Sequence, residues 1–387
     1  MTRSGLHALV GATIFDGERR HAGAALVLDG GRIRAIAAAP PAGARVVELD
    51  GGLLAPGFID LQVNGGGGAL FNDQTTVEAL ATIAATHRRF GVTGLLPTLI
   101  TDTPAVSAAA IDAVARARRG GDAKGILGLH LEGPHLWPAR RGAHRPELMH
   151  PVGDADVERL REARARVGAL LTTIAVEQVS PAQIARLVDG GVTVSLGHSD
   201  AGFAAARRAI DAGARGVTHL FNAMAPLLHR APGLAGAALD AAETWVGMIA
   251  DGHHVDPVVL RLALRAKRGP GRMFLVSDAM STVGAPGDRF ELGGRVAVRE
   301  GGTVRFDDGT LAGAELELAS AVRFCVERLE VPVDEALRMA SLYPATLLGI
   351  ERERGRLVPG AVADLVHLDE ALHVRGTWVG GEAFQAA

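Results

Sequence analysis

The chain has 387 residues, of which 48% are hydrophobic and 21% charged. This apolar fraction can fill a large core, which excludes global disorder. Lys and Arg total 40 against 43 Asp and Glu, giving a formal net charge of -3, so no chain-wide basic surface exists for binding nucleic acid. The single cysteine, Cys325, excludes an intramolecular disulfide and a cysteine-rich zinc site.

The two ends of the chain share one pattern of short β-like segments separated by turn residues. In residues 1–54 and 353–387 these segments are Ala24–Leu28, Arg32–Ala37, Arg45–Leu49, Gly355–Leu357, Asp364–Leu368 and Val374–Val379. Because the same pattern flanks a long and different middle, we expect one small β-sandwich domain built from both termini.

The middle of the chain, residues 55–352, alternates apolar runs with amphipathic stretches. The eight apolar runs are Gly57–Val63, Thr93–Leu99, Gly125–Leu131, Leu170–Val176, Thr193–Leu196, Gly216–Leu220, Trp245–Ile249 and Met273–Val276. Continuous apolar runs are typical of parallel strands buried on both faces. The pattern predicts an α/β fold, a (β/α)8 barrel; a doubly wound open sheet is the alternative.

Two helices and the cell compartment can also be predicted. Ser180 and Pro181 are suited to begin a helix that ends at Gly190, and Cys325 is expected to be a buried residue of the helical run Leu316–Leu329. The N-terminus lacks the pattern of a signal peptide, and no apolar run reaches the roughly 18 residues of a membrane helix. We therefore expect a cytoplasmic protein that contacts neither membrane nor nucleic acid.

Polar side chains follow nearly every apolar run, where the mouth of a barrel would be. Glu132 and His198 follow two of these runs, and His219 lies at the end of a third, just before Leu220. Each has an ordinary interpretation alone, as a salt bridge, a cap or a core histidine. Together they supply two imidazoles and a carboxylate, a ligand set for a catalytic divalent ion with an open coordination position.

Other residues at the mouth could supply acid–base chemistry and anion binding. Asp278 follows the eighth run and is either a general base or a helix cap. His144, in a loop after Ala143, is either exposed or a donor to developing oxyanion charge. Arg230 is either a solvated charge or a phosphate ligand.

A series of motifs, in order along the chain, resembles the N-acetylglucosamine-6-phosphate deacetylases of the amidohydrolase superfamily. The motifs are Ala55-Pro-Gly-Phe-Ile-Asp-Leu-Gln-Val-Asn-Gly, His130-Leu-Glu-Gly-Pro, Ser195-Leu-Gly-His-Ser, Thr218-His-Leu-Phe-Asn-Ala-Met, Pro232-Gly-Leu-Ala-Gly, Ile249-Ala-Asp-Gly-His-His-Val, Leu275-Val-Ser-Asp-Ala and Leu311-Ala-Gly. The resemblance implies a (β/α)8 barrel with a small β-sandwich from both termini, and hydrolysis of the acetamide of a phosphorylated amino sugar to the free amine and acetate.

The resemblance also implies a role for each matching residue. Glu132, His198 and His219 would bind one divalent ion, zinc before iron, cobalt or manganese. Asp278 would be the acid–base group, and His144 would polarise the acetyl carbonyl. The implied contacts to the sugar phosphate are Ala143, Asn222, Ala223, Arg230 and His254, with Arg230 reaching across a homodimer interface.

One departure from the wider superfamily concerns the first run. Many superfamily members have His-x-His there, whereas this chain has Gln62 and Asn64. We therefore expect a mononuclear site, with a weakly held second metal near these residues left open. Other activities left open are a deaminase or cyclic-amide hydrolase, and a non-catalytic scaffold on the same barrel.

Overall fold

The structure, a computed structural model, describes residues 5–121 and 123–384. It begins with short strands, each three to six residues long except the two-residue β3. They are β1 His7–Val10, β2 Thr13–Phe15, β3 Arg20–His21, β4 Ala25–Asp29, β5 Arg32–Ala37, β6 Arg45–Glu48 and β7 Leu53–Pro56. Arg32–Ala37 has the predicted bounds, while β1, β2 and β3 were not predicted.

Eight parallel strands then form the central sheet, each paired with the next in chain order. They are β8 Phe58–Val63, β11 Val92–Ile100, β12 Gly128–Glu132, β13 Ala169–Ile174, β14 Thr193–Leu196, β15 Gly216–Val217, β16 Trp245–Met248 and β17 Met273–Leu275; the hairpin β9 Gly65–Gly66 and β10 Ala69–Leu70 follows β8. Nearly every strand residue is buried, which explains the continuous apolar runs in the sequence.

The curled sheet brings its first and last strands together and forms the (β/α)8 barrel. The Asp278 amide, just after β17, donates to the Gln62 carbonyl in β8 at 3.0 Å. The Ser277 amide donates to the buried Asp60 carboxylate at 3.2 Å. The predicted fold is confirmed, and the alternative of an open doubly wound sheet is wrong.

Helices surround the barrel. They are α1 Val77–Arg88, α2 Pro104–Gly120, α3 Asp154–Val167, α4 Pro181–Asp189, α5 Phe203–Asp211, α6 Gly233–Asp240, α7 Pro257–Ala266, α8 Leu318–Leu329, α9 Val333–Ala340 and α10 Leu342–Leu348, with short 3-10 helices at Pro138–Arg140, Pro146–Leu148 and Val176–Gln178. Ser180 caps α4, Pro181 is its first residue and Gly190 follows its end, as predicted. Cys325 is buried in α8, also as predicted.

An antiparallel sheet that the sequence analysis did not predict is inserted between β17 and α8. Its strands are β18 Arg289–Leu292, β19 Arg295–Glu300, β20 Thr303–Arg305 and β21 Leu311–Ala314. It has a small core of its own around Leu292, Val304 and Phe306. The Ala314 amide donates to the Asp278 carbonyl at 2.8 Å, which attaches the inserted sheet beside the barrel mouth.

The small β domain combines both ends of the chain, as expected. The last strands are β22 Leu365–Leu368, β23 Val374–Val379 and β24 Glu382–Phe384. They join β7, β2 and β3 in a six-stranded sheet, while β5, β4, β1 and β6 form a second sheet. The predicted strand Gly355–Leu357 is wrong: Gly355 adopts a φ of +83° and packs closely on Ala345 in a bend. Among the described residues, no helix has both the length and the apolarity to cross a membrane.

Candidate active site

The carboxyl ends of the barrel strands surround one cavity. Its lining includes polar residues from both halves of the barrel and apolar residues from the inserted sheet, namely Asn64, His198, His219, Asn222, His254, Asp278, Leu292 and Leu311. This is the end of a (β/α)8 barrel where active sites are built.

The three predicted metal ligands meet at one side of this cavity. Glu132 ends β12, and its Oε1 lies 3.0 Å from His219 Nε2 and 3.2 Å from His198 Nε2. The two Nε2 atoms lie 3.2 Å apart. All three side chains are buried.

The donor atoms fit a divalent ion. Ligands of a tetrahedral zinc ion, with bonds of about 2.0–2.1 Å, are separated by about 3.4 Å, close to the triangle found here. His198 Nδ1 lies 2.8 Å from the Arg140 carbonyl and must donate to it, which leaves the Nε2 lone pair directed at the other two ligands. His219 Nδ1 is buried without a partner.

The Glu132 carboxylate and the His219 imidazole shift each other's pKa. Burial disfavours the Glu132 carboxylate, but the adjacent His198 and His219 imidazoles outweigh this and hold its pKa well below the ordinary range. Burial likewise opposes protonation of His219, yet the Glu132 carboxylate raises the pKa of that imidazole. The Glu132 carboxylate therefore stabilises a positive charge placed between the three side chains.

Asp278 lies in the same cavity and is not a helix cap. Burial, followed by the charge of Glu132, raises its pKa to about 6. Its Oδ1 accepts hydrogen bonds from Gln62 Nε2 at 3.1 Å and Asn64 Nδ2 at 2.7 Å. A partly buried carboxylate with a raised pKa, held by two neutral donors, is suited to accept and release a proton near neutral pH.

The same contacts show that Gln62 and Asn64 act as hydrogen-bond donors to carboxylates. Gln62 Nε2 also lies 3.3 Å from each Glu132 oxygen, so this amide donates to both carboxylates. The two side chains present N–H groups to Asp278 on the side where a second cation would have to lie. The side-chain oxygen Oδ1 of Asn64 is buried without a partner.

His144 is buried, not exposed on the loop surface. Its Nδ1 accepts from the Thr101 amide at 3.2 Å, which places its hydrogen on Nε2, and that Nε2 lies 3.8 Å from Glu132 Oε2. Burial above all lowers the pKa of His144 to about 3. The imidazole is therefore a neutral N–H donor facing the metal-ligand triangle.

Four of the five expected sugar-phosphate contacts lie at the cavity. Ala143, Asn222, Ala223 and His254 line it. His254 is oriented by Asp251, whose Oδ2 lies 2.6 Å from His254 Nδ1. Arg230 is different: it is exposed in a loop and does not line the cavity of its own chain.

Two parts of the site were not predicted from the sequence, namely Thr101 and the inserted sheet. Thr101, which fixes the tautomer of His144, directly follows β11, and its position after a strand was the available signal. The inserted sheet contributes Leu292 and residues 310–313 to the cavity wall. Its two-residue turns at Gly293–Gly294 and Gly301–Gly302 were a hairpin signal in the sequence.

Comparison with known proteins agrees with this geometry. The model of the amidohydrolase family matches residues 53–384. An N-acetylgalactosamine-6-phosphate deacetylase from Shewanella is 44% identical over 88% of this chain and 85% of its own length. The human N-acetylglucosamine-6-phosphate deacetylase is 40% identical over 87% of this chain and 84% of its own.

A solved structure shows the same architecture. The N-acetylglucosamine-6-phosphate deacetylase from Pasteurella multocida superposes with a TM-score of 0.93 at 35% identity, covering 98% of this chain and 100% of that one. Family match, identity and fold agree over almost the whole chain. With its closed barrel and its two-histidine, one-carboxylate triangle, the protein is a member of the amidohydrolase family.

Proposed function

We propose that this enzyme hydrolyses the acetamide of N-acetylglucosamine 6-phosphate, giving glucosamine 6-phosphate and acetate. The observation that carries the proposal is the meeting of Glu132, His198 and His219 with the isolated carboxylate of Asp278 in one cavity. The names of relatives that match nearly the full chain supply the substrate class.

One divalent ion, zinc first among zinc, iron, cobalt and manganese, would be held by Glu132, His198 and His219. When bound, such an ion supplies Lewis acidity that activates water and polarises a carbonyl. Gln62 and Asn64 already donate to Asp278, which favours a single ion over two.

The residues of the chain then divide the remaining work. Asp278 accepts a proton from the attacking water and afterwards delivers it to the amide nitrogen, so that the C–N bond breaks with a neutral amine leaving. The Nε2–H of His144 donates to the carbonyl oxygen as negative charge develops on it. Ala143, Asn222, Ala223 and His254 orient the sugar, so that binding energy remote from the amide places its carbonyl carbon.

Replacing Asp278 tests the proton transfer. Asp278→Asn keeps the shape and the amide contacts but cannot accept a proton, so kcat should fall by about 10²–10⁴-fold while metal content persists. Acetate release and elemental analysis measure the two. Asp307→Asn, at an exposed carboxylate of the inserted sheet, is the control. A near-normal rate for Asp278→Asn would contradict the mechanism.

A second candidate substrate is the galacto epimer, because one well-matched relative is named for it. The two sugars differ only at the 4-hydroxyl, which lies between the phosphate arm and the acetamide ring position. Comparing kcat/KM for both 6-phosphates and for both unphosphorylated sugars separates the possibilities. Equal rates with and without phosphate would instead favour a different amidohydrolase activity.

We also propose a homodimer in which Arg230 completes the neighbouring site. Arg230 is exposed beside Leu227 and Leu228, which are 47% and 52% exposed, and Leu262 of α7 adds an apolar side chain 59% exposed. Leu227 and Leu262 line one surface groove. An apolar patch of this kind on a metabolic enzyme favours contact with a second copy, which would carry Arg230 to the partner's phosphate pocket.

Mixing two inactive variants tests the shared site. Arg230→Ala lacks the phosphate ligand and Asp278→Asn lacks the base, so each alone should be nearly inactive. In a mixed dimer one site regains both groups, and random exchange should restore about a quarter of the wild-type rate. No recovery after exchange would show that Arg230 serves its own subunit or none.

The remaining proposals concern organisation and location. We propose a β-sandwich from residues 1–54 and 353–387 and a hydrolase barrel from residues 55–352, with β7 running across the first boundary. We propose a cytoplasmic enzyme, since a sugar phosphate is charged and does not cross a bilayer unaided. Neither nucleic acid nor membrane is proposed as a partner.

A further inference from the structure

A second group of metal-ligand side chains lies outside the active site. His135 follows β12 by three residues, His150 ends the segment that carries His144, and Asp156 is in the first turn of α3. One nitrogen of each histidine and one oxygen of Asp156 lie within 4.8 Å of one another. No role in the deacetylation falls to these three residues.

The hydrogen bonds of His135 leave a lone pair without a partner. Its Nδ1 lies 3.0 Å from the His150 carbonyl, which can only accept, so Nδ1 must carry the hydrogen. Nε2 of the neutral ring is then a bare acceptor. It is buried without a partner, in a side chain only 1% exposed, and it faces Asp156 Oδ2 at 4.0 Å.

Two acceptors facing each other in a buried place repel unless a cation lies between them. His150 stands beside both: its Nδ1 is 3.9 Å from the same Asp156 oxygen, and its ring meets that of His135 edge-on at 4.7 Å. Asp156 already accepts from the Gly153 amide and from Arg159, which fix the carboxylate in place. Its Oδ2 keeps a free lone-pair direction.

We propose that His135, His150 and Asp156 form a second, structural zinc site. Two imidazoles and a carboxylate oxygen are borderline ligands that suit Zn²⁺, with water as the fourth ligand on the open side of His150. Zinc ligands are separated by about 3.4 Å, so the ion would draw each histidine nitrogen towards Asp156 Oδ2 by about half an ångström from the present 4.0 and 3.9 Å. His150, whose side chain is 47% exposed, can move by giving up its hydrogen bond to the Pro151 carbonyl.

Such an ion would clamp both ends of the segment between β12 and α3. This segment contains His144 and the Arg140 carbonyl that orients His198. The clamp would therefore stabilise the fold around the active site without touching the substrate.

Zinc stoichiometry tests the proposal directly. Metal-free protein is loaded with Zn²⁺, dialysed against buffer and analysed for zinc per chain. We expect two equivalents for the unchanged protein and one for His150→Ala. His373→Ala is the matched control, since His373 is a similarly exposed histidine 3.5 Å from an aspartate, Asp369, but does not belong to the cluster. It should keep two equivalents.

A variant that lacks a ligand of the proposed catalytic ion shows which of the two sites holds each zinc equivalent. Glu132→Gln should hold one equivalent, removed entirely by adding His150→Ala. Zinc beyond the first equivalent should raise the thermal midpoint of the unchanged protein and of His373→Ala, but not of His150→Ala. One equivalent in the unchanged protein, with no difference in His150→Ala, would overturn the second site and leave the deacetylase proposal intact. Full zinc retention by Glu132→Gln would instead contradict the catalytic ligand set.

Discussion

Several side chains of the candidate site sit on unusual backbone. Among the described residues, seven that are not glycine have positive φ, and five of them are His198, His219, Phe221, Ala223 and Asp278. Such conformations cost of order 1 kcal/mol or more each and persist where the surrounding structure enforces them. All of these five except Phe221 line the same cavity, which indicates that the barrel holds them in place for chemistry and not for stability.

The positions of the site residues could be predicted from the sequence, but their burial and protonation could not. Glu132 ends β12, and His198 and His219 follow the ends of β14 and β15 by two residues, so barrel topology alone predicts that they converge. The hydrogen on Nε2 of His144 depends on the backbone amide of Thr101, just after β11 and 43 residues away along the chain. Periodicity along the chain carries no information on that contact, which left His144 open between an exposed and a buried role.

The hydrogen bond from Asn64 to Asp278 has a consequence for pH dependence. The amide stabilises the charged carboxylate, so Asn64→Leu should raise the pKa of Asp278. The base must be ionised to accept a proton, and the acid limb of kcat/KM should therefore move to higher pH. A bound cation lowers the pKa in both proteins, so the displacement between them is the quantity to measure.

Asn222→Ala is the control for that experiment, because Asn222 lines the same cavity and donates to the His219 and Leu220 carbonyls but not to Asp278. It should change the size of kcat/KM and leave the midpoint of the limb in place. An unmoved limb in Asn64→Leu would show that Asp278 is not the titrating base.

At the scale of elements, the barrel strands and helices were predictable and the inserted sheet was not. Continuous apolar runs mark β8 to β17 because those strands are buried on both faces. Strands β18 to β21 are half-exposed, short and close together in sequence, so they resemble a loop rich in glycine. Their position is fixed by long-range hydrogen bonds between Ala314 of β21 and the residues Asp278 and Met280 that follow β17, which only the fold reveals.

Gly313 of β21 shows how tightly this sheet is seated. It has a φ of +83°, and a Cβ there would lie 2.4 Å from Met280 Sδ and 3.1 Å from the Asp278 carbonyl. Gly313→Ala should lower stability by about 1–2 kcal/mol through backbone strain. It should also lower kcat/KM, because the added methyl group pushes on the residues beside the base.

Gly309 provides a matched comparison. Its φ is +81°, yet no atom lies within 4 Å of where a Cβ would be. Gly309→Ala should lose similar stability in denaturant unfolding and keep kcat/KM. Equal activity of the two variants would show that the inserted sheet does not position Asp278.

At the scale of the whole molecule, the proposed dimer would make catalysis depend on the apolar surface around α7. If Arg230 acts across a dimer, a charge on this surface should separate the subunits and empty both phosphate pockets. Leu262→Glu should therefore shift the protein to a monomer in sedimentation and raise KM for the phosphorylated sugar. The matched control is Val46→Glu, at a side chain 44% exposed on the β-sandwich. A monomeric variant with unchanged KM would contradict the shared site.

The barrel closes where β17 meets β8, so this contact forms only after the last barrel strand has been synthesised. Ion binding and proton transfer depend on this closure to different extents. The proposed ion ligands come from β12 and from the residues just after β14 and β15, all mid-chain, whereas Asp278 accepts hydrogen bonds from side-chain amides at the start of the barrel and contacts β21 near its end. In a growing chain the three proposed cation ligands can therefore come together before β17 meets β8. The contacts that Asp278 needs for proton transfer form only when the barrel closes, so we expect hydrolysis only from the complete barrel.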